Sequence, residues 1–187
     1  MDNTLYSLKI IYKDCKRYLY LSKKDSKKNK SFLRLFALLF SIRMAPVLLY
    51  RFGSITSNFK IYPLGSLFSL LNRLLFGIEI SRFCKIGPGL CIPHPMGVII
   101  GANSIGSNCI IFQGVTIGSK EIDFPVIRKL RPTIGNNVVI GAGAKILGGI
   151  YIADDTTIGA NAVVTRDILE GGFTYVGIPA TRLENND

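Results

Sequence analysis

The sequence predicts a mainly β protein, a parallel β-helix built from hexapeptides and preceded by a helical N-terminal region. Three observations carry that prediction. Aliphatic residues return every six positions between Ile80 and Val164. Glycine repeatedly follows the aliphatic residue. The whole net charge of +11 lies before residue 79. A period of six fits neither the 3.6 of a helix nor a long alternating strand, and a short fixed repeat marks a stacked solenoid.

The N-terminal region comes first. Residues 1–78 carry 14 Lys and Arg against 3 Asp and Glu, while residues 79–187 carry 9 of each. This shift puts a boundary near Phe76–Glu79 and divides the chain into 1–78 and 79–187. Residues 1–30 read as a basic amphipathic helix, "YSLKIIYKDCKRYLYL", followed by a lysine-rich link. Two apolar runs follow, "SFLRLFALLFSIRMAPVLLYRF" and "YPLGSLFSLLNRLLFGI". The first is interrupted by Arg34, Arg43 and Pro46, and the second is only about 15 residues long. A membrane-spanning helix needs ~20 mostly apolar residues, so both read as short helices broken at Pro46 and Pro63. Two roles suit them. They cap the end of the solenoid and sibling subunits, or their basic, apolar faces lie on an anionic membrane surface. The polar, lysine-rich N-terminus predicts no secretory signal. The expected location is cytoplasmic, with the inner face of the membrane as a peripheral seat. Nucleic-acid binding has charge alone in its favour and is set aside.

The repeat occupies the rest. Ile80, Ile86, Ile92 and Val98 form one series. After a slip of one it continues as Ile99, Ile105, Ile111 and Ile117, and after a second break as Ile134, Ile140, Ile146, Ile152, Ile158 and Val164. Each hexapeptide supplies a short strand and a corner, three make a coil, and coils stack at ~4.8 Å. Gly87, Gly106, Gly118, Gly135, Gly141 and Gly159 are expected to provide sharp corners. Two positions before the aliphatic residue, Cys84, Cys109, Val138, Ala144 and Ala162 should also point inward. Cys91 falls out of phase and should face outward. The four cysteines show no CxxC pair and the chain has one histidine, so no metal site is expected. Reduced thiols are the default.

Two breaks interrupt the repeat, at Pro93–Gly97 and at Ser119–Pro132, "SKEIDFPVIRKLRP". Loops thrown out by a rigid scaffold are where binding and chemistry concentrate. The lone His94 lies in one break, and Arg128, Lys129 and Arg131 lie in the other.

"KIGPGLCIPHPMGVIIG", "VTIGSK", "TIGNNVVIGAGAKILGGIYI" and "GANAVVTRD…VGIPATRL" resemble the hexapeptide-repeat acyltransferases, in particular the serine acetyltransferase branch. The resemblance covers about residues 76–183. It implies a left-handed parallel β-helix, a homotrimer with a dimer of trimers as the larger alternative, acetyl-CoA as donor, and sites between adjacent subunits. It implies His94 as the catalytic base, with Glu79 of "FGIEI" in the place of the family's paired acid. It also implies contacts to CoA from Gly118, Ala142, Ala160, Thr165, Arg166 and Arg182. The chemistry is consistent with this. A neutral imidazole removes the proton of a weak hydroxyl nucleophile as it attacks a thioester. A carboxylate on the other ring nitrogen fixes the tautomer.

Three departures from the serine-specific pattern stand out. Pro93 replaces an acidic residue before the histidine, and Leu130 and Arg131 replace an Arg-His pair. A buried amino-acid substrate needs paired charges. On this ground the chain resembles the serine-acetyltransferase-like enzymes that acetylate hydroxyls of capsule or other surface polysaccharides. Arg131 is then an acceptor-binding residue for a glycan or its precursor. Serine O-acetylation is the alternative enzyme reading, and an inactive β-helix scaffold at the membrane is the non-enzyme one.

Overall fold

A computed structural model describes residues 3–22 and 41–184. The lysine-rich link and residues 31–40 of the first apolar run lie outside the described residues. Among the described residues three helices, α1 (Asn3–Ser22), α2 (Ala45–Asn58) and α3 (Tyr62–Phe76), precede the solenoid. Pro46 and Pro63 do not break them. Each stands in the first turn of its helix, where the missing N–H is not needed and the fixed φ is already helical. Helix α3 ends on Gly77, left-handed at φ 59°, whose N–H reaches the Arg73 carbonyl at 3.1 Å. Among the described residues no helix is long and apolar enough to cross a membrane.

Fourteen short strands follow, in three sheets. Sheet I stacks β1 (Glu79–Ile80), β3 (Ile99–Ile100), β6 (Thr116–Gly118), β9 (Lys145–Leu147) and β12 (Val163–Val164). Sheet II stacks β2 (Lys85–Ile86), β4 (Ser104–Ile105), β7 (Thr133–Ile134) and β10 (Tyr151–Ile152). Sheet III stacks β5 (Ile110–Ile111), β8 (Val139–Ile140), β11 (Thr157–Ile158), β13 (Thr174–Gly177) and β14 (Ala180–Arg182). All pairs are parallel except β13 with β14. The chain therefore winds I, II, III and back to I, as the six-residue period predicts.

The core is built from columns of stacked aliphatics. In sheet I, Ile80, Ile100, Ile117, Ile146 and Val164 lie in register and are buried. Each buried aliphatic side chain contributes roughly 1.5–3 kcal/mol. One expected core residue is displaced. Ile99 points outward, 45% exposed, and Ile100 takes the inward place. The first break inserts two residues after Ile92, and the next corner is one residue short. The sequence displays only the net slip of one.

The corner glycines have a different cause from the one expected. Gly87, Gly106, Gly135 and Gly141 do not have left-handed φ. They sit where successive coils touch. A Cβ on Gly106 would lie 2.5 Å from the Gly135 carbonyl carbon, and one on Gly141 would lie 2.6 Å from the Ala160 nitrogen. The left-handed corner positions are filled instead by Gly89, Asn108, Asn137 and Asp155. Asn and Asp tolerate that region best among residues with a Cβ. Asn137 donates to Asp155 at 2.9 Å, and Asn108 to Asn137 at 3.3 Å. Gly118 is the exception, with nothing within 4 Å of the place a Cβ would take. Gly106→Ala is expected to cost about 1–3 kcal/mol through overpacking. Gly118→Ala should stay within about 0.5 kcal/mol. Urea denaturation of both variants checks the pair.

The helices seal the open edge of the first coil. Tyr50 donates to the Cys84 carbonyl at 2.6 Å. Arg51 donates to the carbonyls of Ile86 and Gly87, each at 2.7 Å. Asp14 accepts from the N–H groups of Gly89 and Leu90 at 2.6 and 3.1 Å. The Tyr18 hydroxyl accepts from the Ile92 N–H at 2.6 Å. Arg51 and Asp14 also bond each other, at 2.8 Å, both buried. Unpaired strand edges recruit other chains unless covered, and here four side chains cover this one. The same packing corrects the expectation for Cys91. It is buried, 3% exposed, beneath α1, and burial pushes its thiol up to about 11. That removes it as a nucleophile at neutral pH. Cys84 and Cys109 are inward and buried, as their phase predicts.

Candidate active site

His94 sits at the corner where sheet III passes to sheet I. Its backbone is fixed on both sides. Ile92 is held by Tyr18, Val98 donates to the Pro95 carbonyl at 3.2 Å, and Gly97 donates to the Gly77 carbonyl at 2.9 Å. Pro93 and Pro95 restrict φ on either flank. The ring is exposed, and among the described residues nothing hydrogen-bonds to it. Lower coils stack on the same corner. Gly114 donates to Met96, Gly143 to Gln113, and Asn161 to Ala142, at 3.0, 2.8 and 2.8 Å. His94, Gln113, Ala142 and Ala160 thus lie along one edge of the prism, an alignment that the sequence does not display for Gln113.

Glu79 opens β1 and faces outward. It lies two residues after Gly77, which stacks on Gly97. Its carboxylate is occupied by another partner, however. Arg73 of α3 donates to it at 2.7 Å, with the two side chains 63% and 53% exposed. The expected His94–Glu79 hydrogen bond is not formed in the single chain. Arg73 carries no signal in the sequence. It lies six residues before Glu79 across a helix–strand junction, and a local pattern does not register that contact.

Arg131 and Gly118 lie at the next corner, between sheets I and II, where residues 119–132 leave the coil. Arg131 does not stand free. Its Nε and Nη2 grip Asp123 at 2.6 and 2.9 Å. Ser119 and the Ile127 N–H bond the same carboxylate. These bonds, that of Arg131 first, hold the Asp123 carboxyl down to about 2. The clamp is therefore intact above the unfolded pKa of about 3.9 and is lost as pH falls toward 2. Hydrogen exchange at Ile127 should be slow at pH 6 and accelerate, relative to the intrinsic rate, near pH 2. Asp123→Asn should loosen the loop already at neutral pH.

The remaining expected residues divide between places. Thr165 and Arg166 lie at the corner of Gly118, where Lys120 donates to the Thr165 carbonyl at 3.0 Å. Arg182, on β14, bonds Glu170 at 3.1 Å and lies 3.3 Å above the Phe173 ring. Glu79, Gly118 and Arg131 share one groove of about 590 Å³ on the outer face of sheet I, walled by α3 and Phe124. His94 does not line it. His94 and the groove that holds Glu79, Gly118 and Arg131 thus stand on neighbouring corners of one chain.

Comparison with known proteins agrees with this architecture. Residues 131–166 match the model "Bacterial transferase hexapeptide (six repeats)", and residues 97–120 match "Hexapeptide repeat of succinyl-transferase". A serine acetyltransferase of Helicobacter pylori is 45% identical over 135 residues, covering 72% of this chain and 77% of that protein. The chain belongs to the serine acetyltransferase family. A family member from Synechococcus elongatus is 48% identical over 114 residues, which is 60% of this chain but only 45% of the relative. The crystal structure of the Neisseria gonorrhoeae family member superposes with a TM-score of 0.80 at 27% identity, covering 96% of this chain and 66% of that one. These relatives carry the name serine acetyltransferase. The resemblance to polysaccharide-modifying enzymes therefore gives way to the broader family.

Proposed function

We propose that the protein is an acetyl-CoA-dependent O-acetyltransferase, with L-serine as the first acceptor to consider. The observation that carries this reading is the single histidine, ring exposed and backbone fixed, on the corner edge of a chain of this family. His94 takes the proton of the acceptor hydroxyl as that oxygen attacks the thioester carbonyl. The carbonyl oxygen becomes a tetrahedral oxyanion that needs donors nearby, and the CoA thiolate then leaves. His94 returns the proton to the thiolate. Glu79 orients the imidazole once Arg73 is drawn away. Along the same edge Ala142 and Ala160 leave room for the pantetheine arm, and Thr165 and Arg166, at the neighbouring corner of Gly118, face the phosphates. His94 and Arg131 occupy different corners, so a complete site needs the His94 corner of one copy against the loop corner of another. A homotrimer supplies that arrangement, and pairs of trimers extend it.

A second acceptor, the hydroxyl of a surface polysaccharide or its precursor, is favoured by one observation. Asp123 already neutralises Arg131, and Pro93 and Leu130 carry no charge, so few free groups remain for an amino acid's carboxylate and amine. Thiol release from acetyl-CoA is the test, with L-serine in one series and glycans in another. Release with serine supports the first acceptor, and release with glycan alone supports the second. Failure with every acceptor, equal in wild type and His94→Ala, would point to a scaffold.

A further inference from the structure

A second cavity, of about 600 Å³, lies between α2 and the outer face of sheet II, on the other side of the Arg82–Phe83 corner from the groove that holds Glu79 and Arg131. We propose that it binds the diphosphate and base of a nucleotide-type ligand through Arg82, Lys85 and Arg128. The volume falls in the range of small-molecule sites, about 300–1,000 Å³. Among the described residues none that lines it is acidic. Arg51, which also borders it, is already paired with Asp14, so among the described residues the other three cations face no counter-charge within the cavity.

These three cations differ in how they are held. The Arg82 Nη1 donates to Ser66 at 2.6 Å, and its guanidinium packs over the Phe83 ring, 4.8 Å from the centroid. Its Nε is buried and among the described residues has no hydrogen-bond partner. An unsatisfied buried donor on a cation is costly and calls for an acceptor. Lys85 and Arg128 are both exposed and form no ion pair among the described residues. Arg128 arrives from the same excursion as Arg131. The loop straddles the corner, with its neutralised arginine on one face and its free one on the other.

Aromatic rings share the lining with these cations. Phe59, Tyr62 and Phe83 border the cavity and are 53%, 48% and 48% exposed. Guanidinium and ammonium groups favour phosphate oxygens, and exposed rings offer a stacking surface for a planar base. A purely anionic ligand would leave the rings unused, and an apolar one would leave the cations unpaired. A nucleotide-activated acceptor presents this chemistry, and CoA, whose phosphates fall to Thr165 and Arg166 in the proposed function, serves as the comparison.

The site lies apart from His94, so calorimetric binding tests it without turnover. The full chain is titrated with UDP, ADP, CoA and pyrophosphate. The variants are Lys85→Ala/Arg128→Ala and, as control, His94→Ala. All three positions are exposed, and circular dichroism checks the fold of each variant. The proposal expects at least one nucleotide to bind more tightly than pyrophosphate. It expects the double variant to weaken that nucleotide by at least about tenfold, and His94→Ala to leave it unchanged. Weakening of UDP with CoA unaffected identifies an acceptor nucleotide, and parallel weakening of ADP and CoA overturns the acceptor assignment and moves the donor diphosphate here from Thr165 and Arg166. No nucleotide binding, or binding indifferent to the double variant, overturns the proposal.

Discussion

His94→Ala should lose about 10²–10⁴-fold in acetyl transfer, the usual contribution of a positioned general base, while unfolding at the wild-type temperature. The second half of this result is as informative as the first. The ring is exposed and, among the described residues, unbonded, and the corner is held by backbone bonds to Pro95 and Gly77 together with Tyr18. Truncating the ring therefore removes no packing. Thiol release measured alongside thermal unfolding separates the two effects. Unchanged turnover would remove His94 from the chemistry and with it the proposed mechanism. Glu79→Gln should have a smaller effect, because in the proposed mechanism its carboxylate only orients the imidazole. If Arg73 competes for that carboxylate, Arg73→Ala should partly raise kcat while leaving stability nearly unchanged, since exposed ion pairs are worth little.

Asp14→Ala is expected to destabilise the fold by about 3–5 kcal/mol, the range for breaking a buried charge pair from one side. Arg51 would be left buried and charged, 7% exposed at its side chain. The N–H groups of Gly89 and Leu90 would lose the acceptor they share. Burial pushes the Asp14 carboxyl up, and Arg51 and the two backbone donors pull it back. These three contacts oppose the cost of burying its charge. Replacing both partners, as in Asp14→Leu/Arg51→Met, should cost less than the single variant on the charge account, though the carbonyls of Ile86 and Gly87 would then lose their donor. Urea unfolding of the three proteins provides the comparison. A single-variant loss below about 1 kcal/mol, the range of a surface pair, would mean that the pair is not the seal described here.

The solenoid was legible because six-residue spacing is a direct consequence of one strand and one corner per repeat. Each inward aliphatic must recur for the coil to close, so the fold is written in the phase. Ile99 escaped for the same reason. An insertion and a neighbouring deletion partly cancel, and only their difference reaches the spacing. Cys91 was misplaced because its burial comes from α1, some 70 residues away in sequence, and no local phase registers it. The candidate site was readable where it depends only on position along the chain, as for the exposed corner that carries His94. It was not readable where it depends on pairing across elements. The Asp123 clamp on Arg131 and the Arg73 contact to Glu79 both join segments whose separation follows no period. Local chemistry did offer one clue, an acid within the same excursion as the basic cluster.

The sealed first coil has a consequence for how copies can meet. A parallel stack whose terminal strand is bare is a template on which another stack can continue, and end-to-end growth of that kind produces filaments. Here Asp14, Arg51, Tyr18 and Tyr50 occupy the hydrogen-bonding groups that a further coil would need. At the other end β14 turns antiparallel against β13 and departs from the direction of winding. Axial addition is discouraged at both poles, which leaves association to the flanks. The flanks are where His94 and the 119–132 loop stand exposed, so the device that discourages axial stacking leaves free the edges on which the proposed site lies.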